Sequence, residues 1–283
     1  MVKPIEDRSQ KVSLVFEKLN VTREGGVLFA AINAPPMNLE GPELIRDLVS
    51  LIQQAETDEA VQVIVFKSAD PDYFISHVDV TRIKENRDAA AKLDGNPSIG
   101  QVLRHMSACR LVTIAQIEGR VRGVGSEFIL ACDMRFAARE SAIFGQFEPA
   151  FGVIPGAGAA QHLTRLMGRG RALEVLLSAD DYNAEIAERY GWINRALPAA
   201  ELNDFVRSLA LRIASFPAAG HAVVKDRVNA ITLASAEDIQ RDSDLFLEGV
   251  STPEYQRRMQ AAMKRGFQTR EAEMNLGELV VGL

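Results

Sequence analysis

Apolar and polar residues follow two different rhythms along this chain of 283 residues, and the change falls near position 199. Before it, short apolar runs alternate with helical periods. Residues 12–19 (VSLVFEKL) partly alternate and predict a strand, residues 27–32 a second, with Glu24-Gly25-Gly26 as the turn between them. Two prolines make residues 33–38 a loop. Pro42 fits the first turn of a helix reaching about 56, with Leu44, Leu48, Leu51 and Ile52 on one face. Residues 61–66 (VQVIVF) are almost wholly apolar, as expected of a strand covered on both sides. After the turn Asp70-Pro71-Asp72, residues 73–80 (YFISHVDV) run from strand character into loop. Residues 81–97 are polar and end in Gly95-Asn96-Pro97, which predicts a mobile surface segment. Ser98 can cap a helix reaching about 109, and residues 112–117 read as strand.

A glycine turn then leads into a helical run over 124–131. Short strands are expected over 134–138 and 142–144. Helices follow over 158–167, 169–177 and 184–190, and a last strand over 191–196. Beyond 200 the period is helical almost to the end, broken at Phe216-Pro217 and Thr252-Pro253. The pattern therefore predicts an α/β core over 12–199 and a helical segment over 200–283.

Residues 118–158 carry the candidate chemistry. Two glycine-rich turns, Gly123-Val124-Gly125 and Gly156-Ala157-Gly158, bracket two acidic residues in apolar company. Glu127 is flanked by Ser126 and otherwise only by apolar residues or glycine, and Glu148 lies in FGQFEPAFG. Carboxyls in such settings have raised pKa values and exchange protons near neutral pH, as a general acid and a general base must. The plainer alternative is a buried carboxylate held by a backbone or arginine partner. A helix starting at Val124 also points backbone N–H groups toward whatever lies before it, a setting that suits a negative oxygen.

The spacing G-x-G-x-E-x-x-x-x-C-D followed by F-G-Q-x-E-x-x-x-G-x-I-P-G-x-G resembles the enoyl-CoA hydratase/isomerase (crotonase) superfamily, with weaker similarity over most of the chain. The resemblance implies a spiral of ββα repeats with a C-terminal helical extension that packs in homotrimers, often paired into hexamers. It implies an acyl-CoA thioester substrate, with coenzyme A as part of the substrate and no other cofactor. Glu127 and Glu148 would flank the Cα–Cβ bond of an enoyl thioester, one taking a proton from water and the other serving Cα. The N–H groups of Val78 and Val124 would form an oxyanion hole. Loops 34–38 and 73–79 would line the pantetheine slot, which names Pro36, Met37, Phe74, Ser76, His77 and Asp79, with Gly123 and Gly156 as further substrate contacts. Lys264 and Arg265 are candidates for the coenzyme A phosphates, or else a solvated helix face. Phe246 is a candidate for the acyl chain of an adjacent subunit, or else core packing.

His77 and Val124 stand where the family commonly has glycine. A β-branched Val124 narrows the allowed backbone, and His77 either adds a proton donor beside the thioester or satisfies a loop carbonyl. The leading expectation is an enoyl-CoA hydratase. The alternatives are an isomerase or thioester hydrolase on the same scaffold, or a binding protein without turnover.

Composition excludes several other classes. The net charge of −6 gives no broad basic surface for nucleic acid. No apolar run approaches the roughly 20 residues of a membrane span, and the N-terminus lacks a signal-peptide core. Cys109 and Cys132 have no CxxC spacing and read as reduced thiols of a cytoplasmic protein. His105, His162 and His221 share no metal-ligand spacing, so no metal site is expected. Gly156-Ala157-Gly158 has Gln161 where a dinucleotide fingerprint needs glycine, and Ser126 is not in a GxSxG elbow.

Overall fold

The structure, a computed structural model, describes residues 16–283. It opens with the antiparallel hairpin β1 (Leu19–Glu24) and β2 (Val27–Ile32), paired from Leu19 with Ile32 to Glu24 with Val27 around Gly25-Gly26. The first strand thus lies later than the sequence pattern predicted. Residues 12–15 fall outside the described residues, residues 16–18 are not strand, and the tight two-residue turn sets the register instead.

Helix α1 (Pro42–Thr57) follows, then β3 (Val63–Ser68), β4 (Tyr73–Ile75), α2 (Ile83–Ala90) and α3 (Ile99–Ala108). The Ser98 hydroxyl accepts from Gln101 N–H and caps α3 as expected. The expected mobile segment at 81–97 contains α2 instead, which packs on α1. Its buried face is only Asn86, Ala89 and Ala90, too small and too polar for hydrophobic periodicity to mark. Next come β5 (Val112–Ile117), β6 (Arg120–Arg122), α4 (Val124–Ala131), β7 (Met134–Ala138), β8 (Ile143–Gly145) and α5 (Ala159–Ser178). The last of these breaks at Gly168 (φ 78°), between the two helices read from sequence. β9 (Asp181–Asn183), α6 (Ala184–Tyr190) and β10 (Arg195–Leu197) complete the strands. The rest is helical: α7 (Ala199–Ala214), α8 (Ala218–Thr232), α9 (Ala236–Val250), α10 (Pro253–Lys264), α11 (Arg270–Glu273) and α12 (Leu276–Val280).

Two sheets organise these elements. One has the order β1-β2-β3-β5-β7-β10 and the other β4-β6-β8-β9. β3, β5 and β7 pair in parallel in the first, and β4, β6 and β8 in parallel in the second. The three passes β3–β4, β5–β6 and β7–β8 therefore each lay one strand in each sheet before entering helix, which is a spiral of ββα repeats. Successive residues of a strand face opposite sides. In β3, Ile64 and Phe66 face the main core, where Phe128 of α4 meets Phe66 edge-on, while Val63 and Val65 face Leu202, Val206 and Ala210 of α7. Both faces are covered, which is why this strand reads as an unbroken apolar run. Cys109 and Cys132 are buried and unpaired.

Candidate active site

The site is built where α4 starts. All eight of its residues are buried, Glu127 among them. Gly125 permits this: a Cβ there would lie 2.3 Å from the Ile75 carbonyl oxygen, so only glycine lets α4 close on the end of β4. Gly123 has φ 51°, in the region that favours glycine. A Cβ at that position would lie 3.1 Å from Glu148 Oε1 and 3.3 Å from His77 Cβ. The start of α4, Glu148 and His77 are therefore neighbours, although the sequence separates them widely.

Glu127 accepts two backbone N–H groups on Oε1, from Ala157 (2.7 Å) and Ala159 (3.0 Å). These come from the second glycine turn, so the two glycine-rich turns meet through this carboxylate. Glu148 begins a short 3₁₀ turn, Glu148–Phe151, and its Oε2 accepts from Gln146 Nε2 (2.9 Å). Burial pushes the Glu127 pKa well above the ordinary value, and the charge of Glu148 adds to the shift; the two N–H groups oppose it. Burial likewise pushes Glu148 up to about 7, against its own backbone N–H, the Gln146 amide and the nearby His77 ring. The two form an interacting pair whose protons belong to both.

Both carboxyls line one cleft with about 840 Å³ of free space, part of it open to solvent. Its wall is mainly apolar and includes Phe147, Phe151, Phe246, Tyr255, Met259 and Phe267. Val78 and Val124 also line it. Around Val78 the backbone is held on almost every side. Glu40 N–H donates to the His77 carbonyl (2.8 Å), Asp79 N–H donates to the Glu40 carbonyl (3.0 Å), and a His77 ring nitrogen lies 2.8 Å from the Val78 carbonyl. The Val78 and Val124 N–H groups meet no acceptor among the described residues.

Comparison with known proteins decides the family. The model of the family described as enoyl-CoA hydratase/isomerase matches residues 22–271. The chain belongs to the enoyl-CoA hydratase/isomerase family. Its relatives include the short-chain-enoyl-CoA hydratase of Clostridium acetobutylicum, 27% identical over 88% of this chain and 97% of that one. They also include the 2,3-dehydroadipyl-CoA hydratase of Escherichia coli, 31% identical over 70% and 74%. A crystal structure from Streptomyces avermitilis, named only provisionally as an enoyl-CoA hydratase, superposes with a TM-score of 0.93. It is 48% identical and covers 95% of this chain and 98% of its own.

Within this enoyl-CoA hydratase/isomerase fold, the residues expected from sequence separate into two groups. Glu127, Glu148, Val78, Val124, His77, Gly156 and Phe246 line the cleft together. Phe246 does so from its own chain, with its side chain lying over Gly156. The others stand off the cleft wall. Met37, Phe74 and Ser76 are packed in the interior, where the Ser76 hydroxyl donates to the Met37 carbonyl (2.8 Å). Pro36 is exposed, and Gly123 lies behind Glu148. Asp79 accepts from Gln268 Nε2 (3.1 Å), Lys264 is exposed, and Arg265 is engaged with the carbonyls of Leu279, Val281 and Gly282. Sequence reading missed Arg87, a cation on the cleft wall, and Asn86 beside it. It also missed Glu40, another buried carboxyl, whose charge acts on Glu127 and which burial pushes up to about 8. None of the three sits in a window that separates it from an ordinary surface residue.

Proposed function

We propose that the protein adds water across the 2,3 double bond of an enoyl-CoA thioester. The observation that carries this reading is the pair Glu127 and Glu148, buried together on one apolar cleft, where burial raises the pKa of both. With one member ionised and one neutral, the pair has what hydration needs. Water gives a proton to the ionised carboxylate as its oxygen bonds to Cβ. The alkene electron pair moves toward the thioester oxygen, and the neutral carboxyl returns a proton to Cα. The pair ends with the same number of protons it began with. The negative oxygen would sit between the N–H groups of Val78 and Val124, two donors that meet no acceptor among the described residues. Water and a proton are the only species exchanged, so the reaction calls for no metal or redox cofactor. Arg87 on the cleft wall is the better-placed cation for a coenzyme A phosphate than Arg265. The relatives named as hydratases support the same reading.

A second reading is a double-bond isomerase. Its support is that Glu127 Oε1 is held by two backbone N–H groups, which leaves Glu148 as the freer proton carrier. The test is loss of the conjugated thioester absorbance on a panel of short, medium and aromatic trans-2-enoyl-CoA substrates. Hydration predicts loss of the band, with Glu127→Gln and Glu148→Gln each costing about 100-fold or more. Isomerisation predicts sharply unequal effects of the two changes. No reaction of well-folded protein on any member of the panel sinks the hydratase reading.

A further inference from the structure

After α10 the chain turns back over the loop that carries Val78, and a set of hydrogen bonds joins the two. Gln268 spans the join: its Oε1 accepts from Val80 N–H (2.8 Å) and its Nε2 donates to Asp79 Oδ1 (3.1 Å). Arg270 donates to the Pro36 carbonyl (2.8 Å), to the Asp70 carboxylate (2.5 Å) and to Asp72. The Tyr73 hydroxyl donates to the Arg270 carbonyl (2.9 Å). In the middle, 1% and 0% exposed, are His77 and Glu273.

His77 Nε2 lies 2.8 Å from Glu273 Oε1, and Nδ1 lies 2.8 Å from the Val78 carbonyl oxygen. Phe267 stacks on the ring at 4.6 Å between centroids, with the planes 4° apart. A carbonyl oxygen can only accept. Glu273 Oε1 also accepts from Gln268 N–H (3.0 Å). Burial works to raise the Glu273 pKa, but His77, that N–H and the Arg122 charge outweigh it and hold it below the ordinary value. An ionised Glu273 also only accepts. With Glu273 ionised, both ring nitrogens of His77 face acceptors, an arrangement that suits a doubly protonated ring.

We propose that Glu273 is a positioning residue for the oxyanion hole. It keeps His77 doubly protonated, so that Nδ1–H stays on the Val78 carbonyl and Val78 N–H stays aimed into the cleft. His77 thus finds a use at its unusual position: the ring clamps a backbone that glycine would leave free. The inference rests on the hydratase reading for what Val78 N–H does, but not for the protonation of the ring.

Nitrogen NMR of full-length, histidine-labelled protein tests the ring directly, with the His77 signals assigned by their loss in His77→Asn. Wild type should show two protonated ring nitrogens at neutral pH, and Glu273→Gln one. On but-2-enoyl-CoA, Glu273→Gln should lower kcat about tenfold, less than removal of an oxyanion donor does, with KM changed by less than about twofold. Glu273→Asp keeps the charge and should keep both ring protons and most of kcat. A bare ring nitrogen in wild type overturns the proposal, as does an unchanged kcat in a Glu273→Gln protein that has lost one ring proton. If Glu273→Gln does not fold, the wild-type spectrum and Glu273→Asp still decide. If wild type turns over no enoyl-CoA, the hydratase reading fails while the spectra still judge Glu273.

Discussion

Each buried carboxyl has a consequence that pH exposes. Activity needs one proton on the Glu127–Glu148 pair. Below about pH 7 Glu148 takes up its proton and the pair loses its base. At higher pH the remaining proton leaves and the acid is lost. The kcat profile on a short enoyl-CoA should therefore be bell-shaped, with its acid limb near 7. A flat profile from about pH 5 to 9 would contradict the pairing. Glu40 gives a stability effect instead. Its pKa rises from 4.5 to about 8 in the fold, so the folded chain keeps a proton that the unfolded chain has lost. Stability therefore falls as pH rises between those values. Glu40→Gln removes this cost. Urea denaturation should show it gaining on wild type by on the order of 3 kcal/mol between pH 4.5 and 8. Glu127 and Glu148 were legible in the sequence because their neighbours are apolar. Glu273 was not, because its surroundings in the chain are polar and its partner His77 lies 196 positions away.

Among the elements, α4 and the two glycines at its start, Gly123 and Gly125, decide whether the site exists. Gly125→Ala would place a methyl 2.3 Å from a backbone oxygen that has no rotamer to yield. It should cost on the order of 3 kcal/mol, read as a lower thermal midpoint, and should displace the Val124 N–H and so abolish activity. Gly156→Ala meets only the Phe246 side chain, at 2.7 Å, which can rotate. That variant should fold normally and change KM for bulky acyl groups. An activity loss equal to that of Gly125→Ala would show that Phe246 does not yield. The long helices and the inner strands β2, β3, β5 and β7 of the large sheet were legible from period, whereas its edge strands β1 and β10 lie later than the pattern placed them. β6 and β9, three residues each, are too short to show any period, and α2 presents a buried face of small and polar residues.

Over the whole molecule, one helix face has no partner among the described residues. Lys225 is the one buried residue of α8, while Val224 is 65% and Ile231 82% exposed, with Val223, Val228 and Phe216 also exposed. Apolar patches of this kind mark contacts with other chains. The proposal that further copies cover it, in a trimer or a pair of trimers, predicts a light-scattering mass that is a multiple of 31.0 kDa. Ile231→Asp should shift the protein toward smaller species. A stable monomer at micromolar concentration would contradict the proposal. The spiral and the family were legible from one motif that spans two repeats, but the closure of the cleft by the C-terminal helices was not, since no local pattern links residues 267–273 to residues 70–80. The central claim, hydration by the carboxyl pair, is tested most directly by incubating but-2-enoyl-CoA with the protein in water enriched in oxygen-18 and deuterium and weighing the thioester. Hydration predicts one labelled oxygen at Cβ and one deuterium at Cα, both lost in Glu127→Gln and Glu148→Gln. Deuterium without labelled oxygen, release of free coenzyme A, or an unlabelled thioester would contradict it.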